Sequence, residues 1–163
     1  MDTAFGGELQ VWSHGHAGQV QSAQGLLVER TGFYMRIKAA QAAETWLHYA
    51  PASHLSVFGW PVLLGALIEF RTSGSAHLAQ VDIWNGANQL ASSGGMRATS
   101  TIGEPGEGAQ FAHGRLMVPL ADAPQSDAAI GVSILIRLPL DRSGKSSTDI
   151  DTLSIVGVGL EYG

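Results

Sequence analysis

Between Ala129 and Leu140 the apolar residues Ile130, Val132, Ile134, Ile136, Leu138 and Leu140 fall at every second position. Period two belongs to a β-strand with one buried face. A helix would place Ile130 and Val132 about 200° apart around its axis. Leu135 adds apolar surface to the second face, and Arg137 is the only charge in the run. The pattern predicts an inner strand of a sheet.

The same period recurs along the chain, punctuated by turn residues. Strands are predicted over Glu8–Trp12, Gln19–Ser22, Leu26–Arg30, Phe33–Lys38 and Trp46–Tyr49, with Ala23-Gln24-Gly25 making a hairpin of the second and third. Leu63–Arg71 and Leu78–Trp84 read as a second hairpin joined by Thr72–Ser75. Asn85-Gly86 is the pair favoured where both central turn residues need positive φ, and Asn88–Ser92 is its return strand. Arg115–Leu120, Ala129–Leu140 and Thr152–Tyr162 complete the set. In the last, apolar parity slips from Leu153 and Ile155 to Val156, Val158, Leu160 and Tyr162. A bulge near Ile155-Val156 restores facing, and Gly157 and Gly159 leave room for a close neighbour. Lys38–Thr45, with its four alanines, is the one helical candidate. Ser93–Gly114 is Gly-rich, without periodicity, and longer than most connections; it reads as a solvated excursion, or as a lid or an arm that contacts a neighbouring subunit.

Nine or ten strands and little or no helix predict an all-β, jelly-roll-like two-sheet sandwich with one long Gly-rich loop. The 163 residues suit one domain, 1–163. No cysteine is present, which excludes disulfides, thiolate catalysis and Cys-ligated metal. The formal charge of −5, with the basic residues scattered, argues against nucleic acid as a partner. No apolar run reaches membrane-spanning length and no signal-like segment opens the chain, so a cytoplasmic protein without a membrane span is expected. Only 14% of residues are charged, against about 25% in typical domains, and mean hydropathy is +0.11. That balance favours a homo-oligomer. Leu135, Gly157 and Gly159 are the candidate subunit contacts.

Candidate chemistry is sparse. His14 and His16 form an H-x-H pair, the spacing that puts two imidazoles on one strand face in cupin-type metal sites. A cupin would also place a carboxylate four or five residues on, where this chain has Val20 and Gln21. Glycines at 15 and 18 point instead to a turn. Trp12, Trp46, Trp60 and Trp84 are large hydrophobes expected mostly inside or at a contact. Trp60 before Pro61 and Trp84 beside the Asn-Gly turn are less typical of a core, and Trp46, His48, Trp60, Trp84 and Asn85 are the candidate ligand-binding residues. No G-x-S-x-G elbow occurs. Gly103–Gly108 lacks the Lys-Ser/Thr ending of a phosphate loop and carries two Glu. Asp149, Asp151 and Asp82 read as turn or surface residues.

Several spaced motifs together resemble a bacterial β-sandwich family that is a domain of unknown function. They are Trp12-x-His14-Gly15 with Val20-Gln21, then Gly25, Arg30 and Gly32, then Trp46-x-His48 with Pro51. Val81-Asp82-Ile83-Trp84-Asn85-Gly86, Gly131-Val132-Ser133 and Gly157-Val158-Gly159 follow. The chain departs from that pattern at Asn85, in the alanines of 39–43 and in the 93–114 loop. The resemblance implies the sandwich and supplies no catalytic residue.

The reading from sequence is a non-enzymatic module without cofactor that binds a glycan or protein ligand, or assembles with its own copies. A lectin-like carbohydrate-binding module is the first alternative, and a cupin-like metal-dependent enzyme the second.

Overall fold

The computed structural model describes residues 9–52, 62–99, 114–121, 129–139 and 151–163. Among the described residues, eleven strands form two antiparallel sheets that face each other across a common core. This is the two-sheet, jelly-roll-like β-sandwich that the alternation predicts.

The larger sheet contains β1 (Leu9–His14), β3 (Leu26–Arg30), β4 (Met35–Ala39), β6 (Leu63–Ser73), β9 (Gly114–Pro119) and β11 (Thr152–Tyr162). Its order is β3-β4-β11-β6-β9, with β1 also on β11. Thr152–Ile155 of β11 pair with β4, whereas Gly157–Tyr162 pair with β1, so one long strand serves two partners end to end along one edge. The smaller sheet runs β2 (Gln19–Val20), β5 (Ala43–Tyr49), β10 (Ile130–Leu138), β7 (His77–Asn85) and β8 (Asn88–Ser93). Strand β10 is central, and its even-numbered residues Ile130 to Leu138 are all buried against the other sheet.

The parity slip in β11 is a bulge. Register against β6 shifts between Ile155 and Gly157, leaving Val156 as the extra residue. Leu153 and Ile155 before it, and Val158, Leu160 and Tyr162 after it, are therefore all in the core.

Both predicted hairpins at 19–30 and 63–84 are corrected. Strands β2 and β3 lie in opposite sheets, as do β6 and β7. Gly25 (φ 73°) and Gly74 (φ 69°) occupy turns in these crossovers. A Gly-containing turn signals reversal of the chain but not which sheet receives it. The hairpin at β7–β8 is present, but Asn85 pairs with Asn88, so Gly86 (φ 58°) and Ala87 form the turn. Lys38–Thr45 is not helical: Ala39 belongs to β4 and Ala43 to β5, each hydrogen-bonded into a sheet. Ladder pairing outweighs the intrinsic preference of alanine.

The crossover from β1 to β2 is a turn of 3-10 helix, Gly15–Ala17. Two glycines let it close. A Cβ on Gly15 would fall 1.8 Å from the Ile155 carbonyl oxygen, and one on Gly18 would fall 2.3 Å from the Tyr49 ring. Tyr49 Oη donates to the Gly15 carbonyl at 2.9 Å, and Arg30 Nη2 donates to that of Gly18 at 3.1 Å. At the crossover from β6 to β7 Asp151, 1% exposed, accepts from the Ser75 amide at 3.0 Å and from its hydroxyl. Asp151 is thus a buried anchor rather than a solvated turn residue. A carboxylate out of water is stable only with such partners.

Two outcomes follow for stability. Ile134→Ala should lower the unfolding free energy by about 2–5 kcal/mol in urea denaturation, because it empties a site at the centre of the core. Burial pushes the Tyr49 phenol far above its usual range, with Arg30 opposing weakly. The folded chain thus keeps the phenol neutral to higher pH than the unfolded chain does. Its contribution is intact below about pH 10 and is lost as pH climbs beyond. Tyr49→Phe should flatten the alkaline limb of the stability profile while costing about 1 kcal/mol near neutrality.

Candidate ligand-binding face

In an antiparallel sheet, directly opposed residues project to the same side. The registers of the five-stranded sheet therefore define rows across its outer face. Gln19, His48, Ser133, Asp82 and Ser92 are opposed in succession, one residue from each strand. This polar row spans roughly 19 Å at the usual strand spacing. The adjoining row on one side is Trp46, Leu135 and Gln80. On the other side are Gly131, Trp84 and Gln89. Trp46 and Trp84 are both partly exposed, and they flank the polar row diagonally, roughly 16 Å apart by strand geometry.

Hydrogen bonds hold the row in place. His48 Nδ1 and Ser133 Oγ are 2.9 Å apart. Gln80 Nε2 donates to Asp82 Oδ1 at 2.9 Å and to Ser92 Oγ at 3.2 Å. Asp82 is only 5% exposed although it lies on the outer face, and it is an acceptor held by Gln80. Beyond Trp46, Arg137 Nε bonds Glu44 and closes the face with an ion pair. Gly131 places no side chain beside Trp84, leaving open floor there.

Of the candidate ligand residues, Trp46, His48 and Trp84 share this face. Asn85 does not. It opposes Ile130, a core residue, and its Oδ1 is buried without a hydrogen-bond partner among the described residues. One step along a strand reverses the facing. Trp60 lies outside the described residues, as do residues 100–113 of the long loop. Gln19, Ser133, Gln80 and Ser92 are not among the sequence candidates, and Asp82 reads there only as a turn or surface residue. Their polar parity within apolar strands was the available signal, but only the register joins them into a row.

Leu135 lies within this face, yet it is 7% exposed between its neighbours, so it offers little surface to a second subunit. The close neighbour of Gly157 and Gly159 is Trp12 of the same chain, opposite Gly159 in the larger sheet. A Cβ on Gly159 would lie 2.8 Å from Trp12 Cδ2, and one on Gly157 would lie 3.2 Å from Cε3. The indole is seated over the strand on those two glycines. Trp46 and Trp84 are half-buried and Trp12 is exposed.

His14 and His16 stack, with ring centroids 5.8 Å apart and planes 17° from parallel, and Phe33 meets His14 edge-on at 6.0 Å. Among the described residues no group of three or more His, Asp or Glu could hold a metal ion. The H-x-H spacing is accounted for by a turn whose glycines fit against Ile155 and Tyr49.

A family model matches residues 7–163, almost the whole chain. The chain belongs to DUF6623, a family of unknown function. That agrees with the resemblance to a β-sandwich family of unknown function. No curated protein matches this DUF6623 chain. Among solved structures it is similar to TmCBM61 in complex with β-1,4-galactotriose, at 6% identity and a TM-score of 0.46, covering 92% of this chain and 86% of that one. It is also similar to a CBM29-2 mutant, a family 29 carbohydrate binding module, complexed with cellulohexaose. There the identity is 8% and the TM-score 0.42, with 93% and 91% of the two chains covered. Likeness at that level bears on the fold alone.

The glycine seat has a direct test. Gly159→Val should force the Trp12 ring off the strand and shift tryptophan emission to the red. In a Trp12→Phe background the same substitution should leave the emission unchanged.

Proposed function

We propose that this DUF6623 protein is a non-enzymatic binding module that holds an extended, hydroxyl-rich ligand, a neutral oligosaccharide, across the outer face of its five-stranded sheet. The observation that carries the proposal is the unbroken row Gln19–His48–Ser133–Asp82–Ser92 between two partly exposed indoles. A sugar ring has an apolar C–H face, which an indole covers, and a rim of hydroxyls that both donate and accept. The amide of Gln19, the imidazole of His48 and the hydroxyls of Ser133 and Ser92 supply donors and acceptors, while the nearly buried Asp82 carboxylate holds Gln80 in place. Strands hold these groups rigidly, so little side-chain freedom is lost on binding.

Serine, histidine and aspartate side by side invite comparison with a hydrolytic triad, but their order is wrong. Such a triad needs the carboxylate on the imidazole nitrogen remote from serine. Here Asp82 lies across Ser133 from His48, and Gln80 occupies one of its oxygens. The arrangement favours binding over acyl transfer.

Calorimetric titration with cellulohexaose and β-1,4-galactotriose tests the reading. Trp46→Ala and Trp84→Ala should each weaken binding by about tenfold or more, equivalent to about 1.4 kcal/mol. Affinity should change little with ionic strength, because no net charge is neutralised. Absence of heat with both probes, or binding indifferent to both tryptophans, would overturn it.

A further inference from the structure

Cross-strand register gathers basic residues on the outer face of the six-stranded sheet. Glu29, Arg36, Ser154 and Arg71 make one row, with one residue from each of β3, β4, β11 and β6. Leu27, Lys38, Thr152 and Ser73 make the next. Three of the nine basic residues of an acidic chain thus stand on neighbouring rows. The one carboxylate in these rows, Glu29, accepts from Lys38 Nζ at 3.1 Å and from Arg36 Nη1 at 3.5 Å. Arg36 Nη2 donates to Tyr34 Oη at 2.8 Å. An ammonium carries three donor hydrogens and a guanidinium five, so Lys38 and Arg36 keep donors beyond these bonds.

The rows are not covered. A cleft of about 370 Å³ opens over them, and Arg36, Lys38, Arg71, Thr152 and Ser154 are among its walls. Cations and hydroxyls converging on one open volume suit an oxyanion, whose oxygens accept from both.

A second cavity, of about 340 Å³, meets the cleft at Lys38, which lines both. Its other walls are Gly25, Leu26, Leu27, Ala39 and Ala40. Leu27 occupies an outward position of β3 and is 57% exposed. A scattered exposed leucine calls for no explanation, but this one borders an apolar cavity that shares a wall with surplus cations. Lysine suits such a boundary, with its apolar stem and charged tip. Both volumes fall in the range of small-molecule sites.

We propose that this end of the six-stranded sheet binds a small amphiphilic anion, with a carboxylate or phosphate head among Arg36, Lys38 and Ser154 and an apolar arm along Leu27. The site shares no residue with the polar row on the five-stranded sheet, and its ligand is of another class. It therefore stands or falls apart from the oligosaccharide reading.

Titration of the isotope-labelled chain with octanoate and octyl phosphate, followed by NMR, tests it, with inorganic phosphate and 1-octanol as half-ligands. Both octyl anions should bind saturably, shift the amides of Leu27 and Lys38, and bind about tenfold or more tightly than either half-ligand. Higher ionic strength should weaken them. Lys38→Gln should weaken both by about tenfold, and so should Leu27→Ser, an exposed substitution that spares the core. The Trp46→Ala/Trp84→Ala double variant should bind them unchanged. Absence of saturable binding, or binding that neither Lys38→Gln nor Leu27→Ser alters, would overturn the site. Octanol bound as tightly as octanoate would overturn the anionic head, and inorganic phosphate bound as tightly as octyl phosphate would overturn the apolar arm.

Discussion

One extra residue, Val156, governs much of this molecule. Strand β11 pairs with three others, and a regular strand of its sequence could not face the core along its full length. With Leu153 and Ile155 directed inward, Val158, Leu160 and Tyr162 would turn to solvent unless one position were left out of register. The bulge supplies that position, and both halves of the strand are buried. It also fixes Gly157 and Gly159 on the outer face, where β1 brings Trp12 over them. Core packing and the seat of this indole share this cause.

The two outer faces solve different problems. On the five-stranded sheet, polar side chains opposed from all five strands make a continuous row, and the indoles stand on either side of it. On the six-stranded sheet a single indole lies over glycine backbone, with the Arg115 guanidinium on its other face. Residues that would otherwise be solvated, such as Asp82 at 5% exposure, are held by neighbours on their own face. Preorganisation of this kind limits the entropy lost when a ligand binds.

Between the described strands, only two connections stay within a sheet, β3–β4 and β7–β8. The rest cross between layers, and several crossovers are fastened individually. Tyr49 and Arg30 hold the turn after β1, and Asp151 holds Ser75 between β6 and β7. These are small polar contacts at the rims of a large apolar core. They fasten two of the crossovers, whose direction burial of alternate residues alone leaves open.

Strand identity was legible in the sequence because side-chain facing has period two and the core rewards it locally. The inner strand at Ile130–Leu138, the bulge beside Val156 and the Asn-Gly hairpin region were all readable from residues close together in the chain. Pairing was not, since Gly25 and Gly74 mark turns whether the chain returns to the same sheet or crosses to the other. The helix expected at 38–45 yields to ladders made with distant strands. The polar row was equally hidden, as its five members lie on five strands and only cross-strand register opposes them. Alternation alone thus set the elements and their buried faces. Tertiary structure decided layer, register and site, because hydrogen bonds between remote strands determine which outward side chains become neighbours.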